Sequence, residues 1–528
     1  MLPEVLKPFD AQGKFQGTND GDTLRRRAVR SAGVTVLSQG AVFGVQLIAT
    51  MILARLLTPT DFGVVTMVTT FSLLIMSFGL NGYNEAVLQR SDIDHNLASN
   101  LFWINFGVGL ASAAAFAAAG PLLASFYRDQ RLVHVTAGIS LTILISGASV
   151  VHLALLKRAL RFSATSANEV GATLVSVVLS VAMAWRGWGY WALVAGLVSR
   201  GLVQAIGAWW LCRWIPGRPR RVEGTGSVVR FAAHVYGRYC LNYSTRNTDN
   251  LLVGWRFGPG PLGFYKKAYD LFLLPANQLL VPVSDVVLST LRRLERGSAQ
   301  YQRYLLNGLS ILAFVGMGAG AVLTLVGKDL IRMILGSQWG PAGQIFTFFG
   351  PGIGIMLIYG THGLIHLSLG RADRWLRWVL VELTVTVLLF VLGLRWGPVG
   401  VAAAWTVSFW ILTLPAFWYA GRPIGFGIKP VVGTVWRYVL SGLIAGCGAA
   451  AAERFLLSPA GPSALGALKH TLLIFPLTSF LYLLAVIVLH GGVDPLVGFA
   501  KLIPDLVPWQ RTAKRAMVEA AMSTAQRS

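Results

Sequence analysis

Tyr304-Leu-Leu-Asn-Gly-Leu-Ser-Ile-Leu-Ala-Phe-Val-Gly-Met-Gly-Ala-Gly-Ala-Val-Leu-Thr-Leu-Val-Gly327 runs for 24 residues without an acidic or basic side chain. An α-helix rises about 1.5 Å per residue, so about 20 apolar residues cross the hydrocarbon core of a bilayer. This run is one of fourteen. The others lie near 31–55, 62–80, 98–125, 132–155, 167–185, 189–212, 228–256, 264–291, 343–369, 375–394, 398–419, 434–452 and 468–489. They are too many for a single anchor and too closely spaced for a soluble core. Composition agrees, with 54% hydrophobic and 13% charged residues and 17 Trp. The chain reads as an all-α polytopic membrane protein whose function resides in the polar residues it buries. Loops are short throughout, which leaves no folded extramembrane domain and argues against most enzymes.

The formal net charge of +23 raises the question of nucleic acid. In a membrane protein basic charge first reports orientation, because cytoplasmic loops are enriched in Lys and Arg. With the N-terminus inside, cytoplasmic segments carry 30 Lys and Arg and the opposite loops 12. Arg200, Arg238 and Arg246 fall inside spans and complete the 45. The bias favours both termini in the cytoplasm, as an even number of spans requires, and no nucleic-acid partner is expected. Cys212, Cys240 and Cys447 are isolated, without disulfide or zinc spacing. The first apolar run follows a basic stretch and is long enough to stay as a span, so no cleaved signal is expected.

The chain divides into a cytoplasmic tail (1–30), a first lobe of six spans (31–212), a second of six (228–419), two further spans (434–489) and a cytoplasmic tail (494–528). The first tail is expected to be disordered up to Arg25-Arg26-Arg27 and Arg30. The last carries Trp509-Gln-Arg-Thr-Ala-Lys-Arg-Ala-Met-Val, which reads either as a basic amphipathic surface helix or as a frayed end. A short internal repeat supports two lobes. Thr58-Pro59-Thr-Asp61-Phe62-Gly63 joins spans one and two, and Gly258-Pro259-Gly-Pro-Leu262-Gly263 joins spans seven and eight, at an offset of 200. That offset sets Ser38 opposite Arg238 and Gln46 opposite Arg246. Transporters are often built from such repeats around a central site.

Span seven carries the densest polar pattern. Arg238, Asn242, Arg246 and Asp249 follow spacings of 4, 4 and 3, hence one helix face, flanked by His234 and Thr245. Arg or Asp at the centre of a bilayer costs about 2.5–3.5 kcal/mol on insertion scales. The stripe therefore faces protein or water: either an ion-pair network with Asp249 or the wall of a cavity. In span one Thr35, Gln39, Gln46 and Thr50 share a face, as cavity lining or as interhelical glue. Arg200, mid-span with Gln204 one turn away, needs water in a cavity, an anionic ligand or a carboxylate such as Glu169. Asp249, Asp270, Glu169 and Glu382 are candidates for ion or proton coupling, with structural pairing the favoured reading of each. Pro275 in span eight invites a kink.

Two motifs mislead. Asp92-Ile-Asp94 matches the DxD pattern of many glycosyltransferases but stands alone in a short loop. His362 and His366 share a helix face at i, i+4, as zinc ligands do, without a third ligand. No metal or cofactor is expected.

Leu53-Ala-Arg55-Leu-Leu-Thr-Pro59-Thr-Asp61-Phe62-Gly63, Phe78-Gly79, Asn84-Glu85-Ala-Val-Leu-Gln89-Arg90 and Leu101-Phe-Trp103-Ile-Asn105 follow one another across the first three spans. Leu156-Lys157-Arg158-Ala-Leu-Arg161-Phe162, Asn247-Thr-Asp249-Asn250, Leu262-Gly263-Phe-Tyr265-Lys-Lys-Ala268-Tyr269, Trp339 and Leu369-Gly370-Arg371 extend the set. Over roughly residues 25–420 the chain resembles the polysaccharide-transporter branch of the multidrug/oligosaccharidyl-lipid/polysaccharide exporters, in particular the Wzx-type, colanic-acid-exporter-like proteins. The resemblance implies a flippase of the bacterial inner membrane, not an enzyme. It would carry undecaprenyl-diphosphate-linked oligosaccharide across by alternating access, for exopolysaccharide, capsule or O-antigen. Membrane lipids are then partners, as are a polysaccharide polymerase and chain-length regulator acting downstream. On this reading Arg200, Arg238 and Arg246 attract the diphosphate or acidic sugars, since guanidinium pairs bidentately with phosphate. Asn242, Gln46 and Tyr243 hydrogen-bond the glycan, and Asp249 orients the arginines or responds to protons. The alternatives are a cation-coupled exporter of small molecules and a membrane polysaccharide polymerase. The first favours an acidic, aromatic cavity, and the second an acid–base cluster in a large outer loop.

Overall fold

A computed structural model describes residues 6–16, 21–77, 93–220, 225–456 and 464–497. Phe78-Gly79, Asn84–Arg90, Asp92 and the Trp509 segment lie outside the described residues, as do the side chains of Arg25–Arg27, Arg30, Thr35, His234, Arg238 and Pro275. Among the described residues the regular structure is helical, apart from two isolated bridges, Phe9 with Phe15 and Lys14 with Asp94. Eleven stretches are long and apolar enough to cross a membrane, and one of them, Asp373–Ile424, holds two helices. With the two long helices at 225–291, this makes fourteen long helices, and the protein is an all-α polytopic membrane protein. The chain forms two compact units, Met1–Gly263 and Phe264–Ser528.

The first unit contains α1 (Gly21–Leu56), α2 (Pro59–Ser77), α3 (His95–Ala118), α4 (Gly120–Tyr127), α5 (Arg131–Arg158), α6 (Phe162–Trp185), α7 (Tyr190–Cys212) and α8 (Thr225–Phe257). Span three, expected to be continuous, breaks at Ala119. Pro121 opens α4, and its ring and missing N–H prevent it from continuing the turn before it. Span seven, α8, packs in this unit against α2, where the Tyr243 hydroxyl donates to the Thr70 carbonyl at 2.8 Å.

The N-terminal tail is not disordered throughout, which corrects the sequence expectation. The Leu6 N–H donates to the Leu211 carbonyl at 2.9 Å, and the His95 N–H to the Gly13 carbonyl at 2.8 Å. Phe9 meets His95 and Trp214 edge-on or tilted, and the Arg158 guanidinium lies 5.1 Å from the Phe15 ring centre. Leu6 joins a core of Leu97, Leu101, Phe102, Leu155 and Trp214. Polarity averaged over thirty residues conceals three well-spaced apolar anchors, Leu6, Phe9 and Phe15, around a Gly13 turn.

The two halves of the sequence repeat meet in this unit. A Cβ built on Gly63 would run into the Pro259 carbonyl, and one on Gly263 into the Pro59 carbonyl. Each glycine thus lets the other turn's backbone approach, a reciprocal contact that only a residue without a side chain permits. Thr58 and Asp61 fix the first turn: the Thr58 N–H and hydroxyl donate to Asp61 Oδ2 at 2.9 and 2.6 Å.

The second unit contains most of α9 (Pro259–Leu291), then α10 (Ala299–Leu335), α11 (Gly340–Gly360), α12 (His362–Ser368), α13 (Ala372–Gly393), α14 (Gly397–Gly421), α15 (Ile428–Leu456) and α16 (Ala464–His490). Span ten is divided at Thr361 between α11 and α12. α10 packs along α11, where a Cβ on Gly316 would stand 2.9 Å from the Gly354 Cα. Small residues at such crossings bring membrane helices into close van der Waals contact. Phe272, Phe349 and Trp405 form an aromatic core with ring centres 5.1–5.4 Å apart. α15 and α16 pack on α10 through Ser310–Tyr438 (2.8 Å) and the Tyr482 hydroxyl on the Phe314 carbonyl (2.6 Å).

Candidate functional site

Three helices of the first unit bring polar side chains together at the surface of that unit. Glu169 on α6 accepts a hydrogen bond from Gln39 Nε2 on α1 at 3.1 Å. Its other oxygen lies 3.7 Å from an Arg200 guanidinium nitrogen on α7. Beside them Asn168 Nδ2 donates to the Gln204 carbonyl at 2.9 Å, holding α6 to α7. The alternatives open for Arg200 therefore have substance. Glu169 is its neighbour, yet 3.7 Å is beyond hydrogen-bond range, and a guanidinium has five N–H donors. The Arg200 side chain is 36% exposed and that of Glu169 30%. A partly open arginine at the middle of its span, as Arg200 is in α7, does not face lipid. This part of the unit's surface therefore borders water or protein.

The α8 stripe separates into two environments. Asn242 and Arg246 are exposed, whereas Asp249 and Asn250 are each 1% exposed. Asp249 Oδ1 accepts the Asn250 backbone N–H at 2.8 Å. Asn250 Nδ2 donates to Asn247 Oδ1 at 3.3 Å, and Asn247 Nδ2 to the Tyr243 carbonyl at 3.0 Å. Common helical spacing placed Arg246 and Asp249 together, but packing against neighbours resolves a face of that width into an inner and an outer edge. Tyr243 is half-buried, stacks on Tyr239 at 5.7 Å, and uses its hydroxyl on Thr70. Gln46 is exposed on α1, one face with Gln39.

In the second unit Asp270 pairs with Lys266 at 2.7 Å, one turn away. Among the described residues no group of three His, Cys, Asp or Glu has a metal-binding arrangement. His362 and His366 are buried among aromatic rings, His362 Nδ1 donating to the Tyr359 carbonyl at 2.6 Å. Asp94 of the DxD pattern is a helix cap: its Oδ1 accepts the Leu97 N–H at 2.7 Å at the start of α3. Gln39 was visible in sequence as part of a polar face, but its pairing with Glu169 was not, because 130 residues separate them.

Many long apolar helices define a multi-pass membrane protein. Residues 52–344 match the family model described as "Polysaccharide biosynthesis protein", and the chain belongs to that family. It is 21% identical to the lipopolysaccharide biosynthesis protein WzxC of Escherichia coli K12, over 79% of this chain and 85% of that one. It is 22% identical to the succinoglycan biosynthesis transport protein ExoT of Rhizobium meliloti, over 68% and 73%. Its fold is similar to the solved structure of the lipid II flippase MurJ in an inward closed conformation. The TM-score is 0.67 and the identity 13%, over 85% of this chain and 98% of that one.

Proposed function

We propose that the protein is a flippase that carries a lipid-linked oligosaccharide, through a diphosphate on a polyprenyl chain, from the inner to the outer leaflet of the bacterial inner membrane. Both termini are cytoplasmic on this reading. The observation that carries it is the open Gln39–Glu169–Arg200 cluster, in a member of a polysaccharide biosynthesis family that resembles transport proteins along most of its length. A half-satisfied guanidinium in a low-dielectric wall attracts phosphate, and the neighbouring carboxylate keeps that attraction modest. Modest binding is required, because a ligand held tightly in one state is not released in the other. Arg246 and Asn242, exposed on α8, and Gln46, exposed on α1, offer further basic and hydrogen-bonding groups to diphosphate and sugar. Tyr243 and Asp249 hold α8 in place instead of touching cargo, and the Lys266–Asp270 pair is a local tie on α9. No step of this cycle makes or breaks a covalent bond in the cargo.

The test is a strain lacking the protein, in which lipid-linked glycan is extracted and its leaflet assigned with a membrane-impermeant glycosidase. Completed repeat units confined to the inner leaflet support the proposal. Single units accumulating in the outer leaflet assign the defect to polymerisation and overturn it.

A further inference from the structure

Beyond the end of α7 the chain reads Trp214-Ile-Pro216-Gly217-Arg218-Pro219-Arg220, and every third residue of this connector is bonded to the helices beneath it. The Trp214 carbonyl lies 3.1 Å from His152 Nε2 of α5, and its indole N–H donates to His95 Nδ1 of α3 at 3.0 Å. The Gly217 N–H donates to Ser99 Oγ at 2.9 Å, and its carbonyl accepts the Trp103 indole N–H at 2.8 Å. The Arg220 N–H donates to Asn100 Oδ1 at 2.9 Å, and its carbonyl accepts from Asn100 Nδ2. A Cβ on Gly217 would stand 2.9 Å from His95 Nε2, so this approach suits glycine. Pro216 and Pro219 restrict their own φ and keep Ile215 and Arg218 extended. One edge of the connector is thus fixed to α3 and α5, and the rest faces outward.

The outward part combines groups that water alone does not call for. Ile215 is 80% exposed although the backbone on both sides of it is held. Arg213, Arg218 and Arg220 around it are exposed, and among the described residues their guanidiniums form no ion pair. The carboxylates of the docked N-terminal segment and of α3 are engaged elsewhere. Asp10 accepts the Gln12 and Lys14 N–H groups at 2.9 and 2.8 Å, and Asp94 caps α3. Trp103 and Trp210 on the adjoining helices are 41% and 49% exposed. α7 is a 23-residue span, long enough to cross the hydrocarbon, so a segment just past its end stands at headgroup depth. Tryptophan is enriched in that zone, and guanidinium pairs there with phosphate oxygens. Basic charge alone serves orientation equally well from a loose loop; a fixed backbone presenting an isoleucine between arginines goes beyond that need.

We propose that the connector is a preformed site for the headgroup of an anionic phospholipid, with Arg213 and Arg218 on the phosphate and Ile215 among the first methylenes of the acyl chains. Because the bonds to α3 and α5 order the backbone before lipid arrives, little conformational entropy is lost on binding. On the orientation proposed above the lipid belongs to the cytoplasmic leaflet, whose negative surface attracts basic segments beside a span. The site lies about three turns along α7 from Arg200 and takes a resident lipid of the bilayer instead of cargo, so it stands or falls independently of the flippase proposal.

The test titrates the full chain in a neutral detergent with phosphatidylglycerol or with phosphatidylcholine of the same acyl chains, and follows thermal unfolding. Phosphatidylglycerol is expected to raise the melting temperature by several degrees more than phosphatidylcholine, an excess that added salt diminishes. The double variant Arg213→Gln with Arg218→Gln is expected to need about tenfold more phosphatidylglycerol for half of that excess. Ile215→Gln keeps every charge and is expected to need about threefold more, through lost apolar contact. Arg395→Gln, an exposed control between α13 and α14, is expected to behave as wild type. If the double variant does not yield folded protein, Ile215→Gln decides, since so exposed a side chain contributes little to the fold. Equal shifts with the two lipids, or an excess that both variants leave unchanged, overturn the proposal. An unchanged excess combined with lost export, in cells holding normal amounts of either variant, also overturns it and assigns the surface to an acidic cytoplasmic protein.

Discussion

At the scale of the residue, Arg200 is the position where chemistry and environment disagree most. Its only acidic neighbour among the described residues stands 3.7 Å away, and much of the side chain is open. Charged hydrogen bonds contribute about 1.5–3 kcal/mol, or roughly ten- to a hundredfold in affinity. Arg200→Ala is therefore expected to lower export of the glycan about tenfold or more, with membrane abundance unchanged. Quantifying both in cells checks this, and loss of the protein itself would indicate a purely structural ion pair. Asp94 makes the opposite case. As a cap, Asp94→Ala is expected to destabilise the fold by about 1 kcal/mol, measured as a lowered melting temperature, with transport per molecule unchanged. The sequence marked both residues as notable but not which was structural, because a DxD pattern and a lone arginine do not reveal whether neighbouring backbone amides satisfy them.

At the scale of the element, helix ends carry the specific information. Gly63 and Gly263 each face the backbone carbonyl of the opposite turn, which no rotamer change can move aside. Gly63→Ala or Gly263→Ala is expected to destabilise the protein by about 1–3 kcal/mol through overpacking. Reduced melting temperature or membrane yield of either variant would register it, and wild-type behaviour of both would contradict the reciprocal contact. The α4–α5 turn offers a pH-dependent case. Hydrogen bonds from the Arg131 side chain hold the Asp129 carboxyl below its ordinary range, ahead of an opposing effect of burial. A lowered carboxyl pKa contributes stability above the unfolded value and loses it as pH falls through the folded one. Asp129→Asn is thus expected to be less stable near neutrality by under about 1 kcal/mol, since Arg131 is largely exposed. The difference should vanish in acid unfolding once the wild-type carboxyl is protonated.

At the scale of the whole molecule, fourteen long helices were legible because hydrocarbon imposes a length and an apolarity that composition alone displays. The break at Ala119 and the docked Leu6–Gln16 segment were not, since they depend on one proline and on three separated side chains, and nothing in composition marks the break at Thr361. The repeat at an offset of 200 was visible as a short match, and its meaning became physical only when Gly63 and Gly263 were seen to meet. The polar cluster was half-legible: Gln39, Glu169 and Arg200 each stood out against apolar neighbours, but their convergence is a property of how α1, α6 and α7 pack. The contacts of His470 with Asp329 at 2.7 Å and Glu453 at 3.2 Å left no sequence signal, the residues lying up to 141 positions apart. The claim that unites these levels is translocation of a lipid-linked glycan. The most direct measurement is the leaflet distribution of that lipid in cells lacking the protein, before and after re-expression. Repeat units sealed in the inner leaflet, and exposed again on re-expression, are the predicted result; an unchanged distribution with normal polymer export, in cells without a second flippase, would contradict the account.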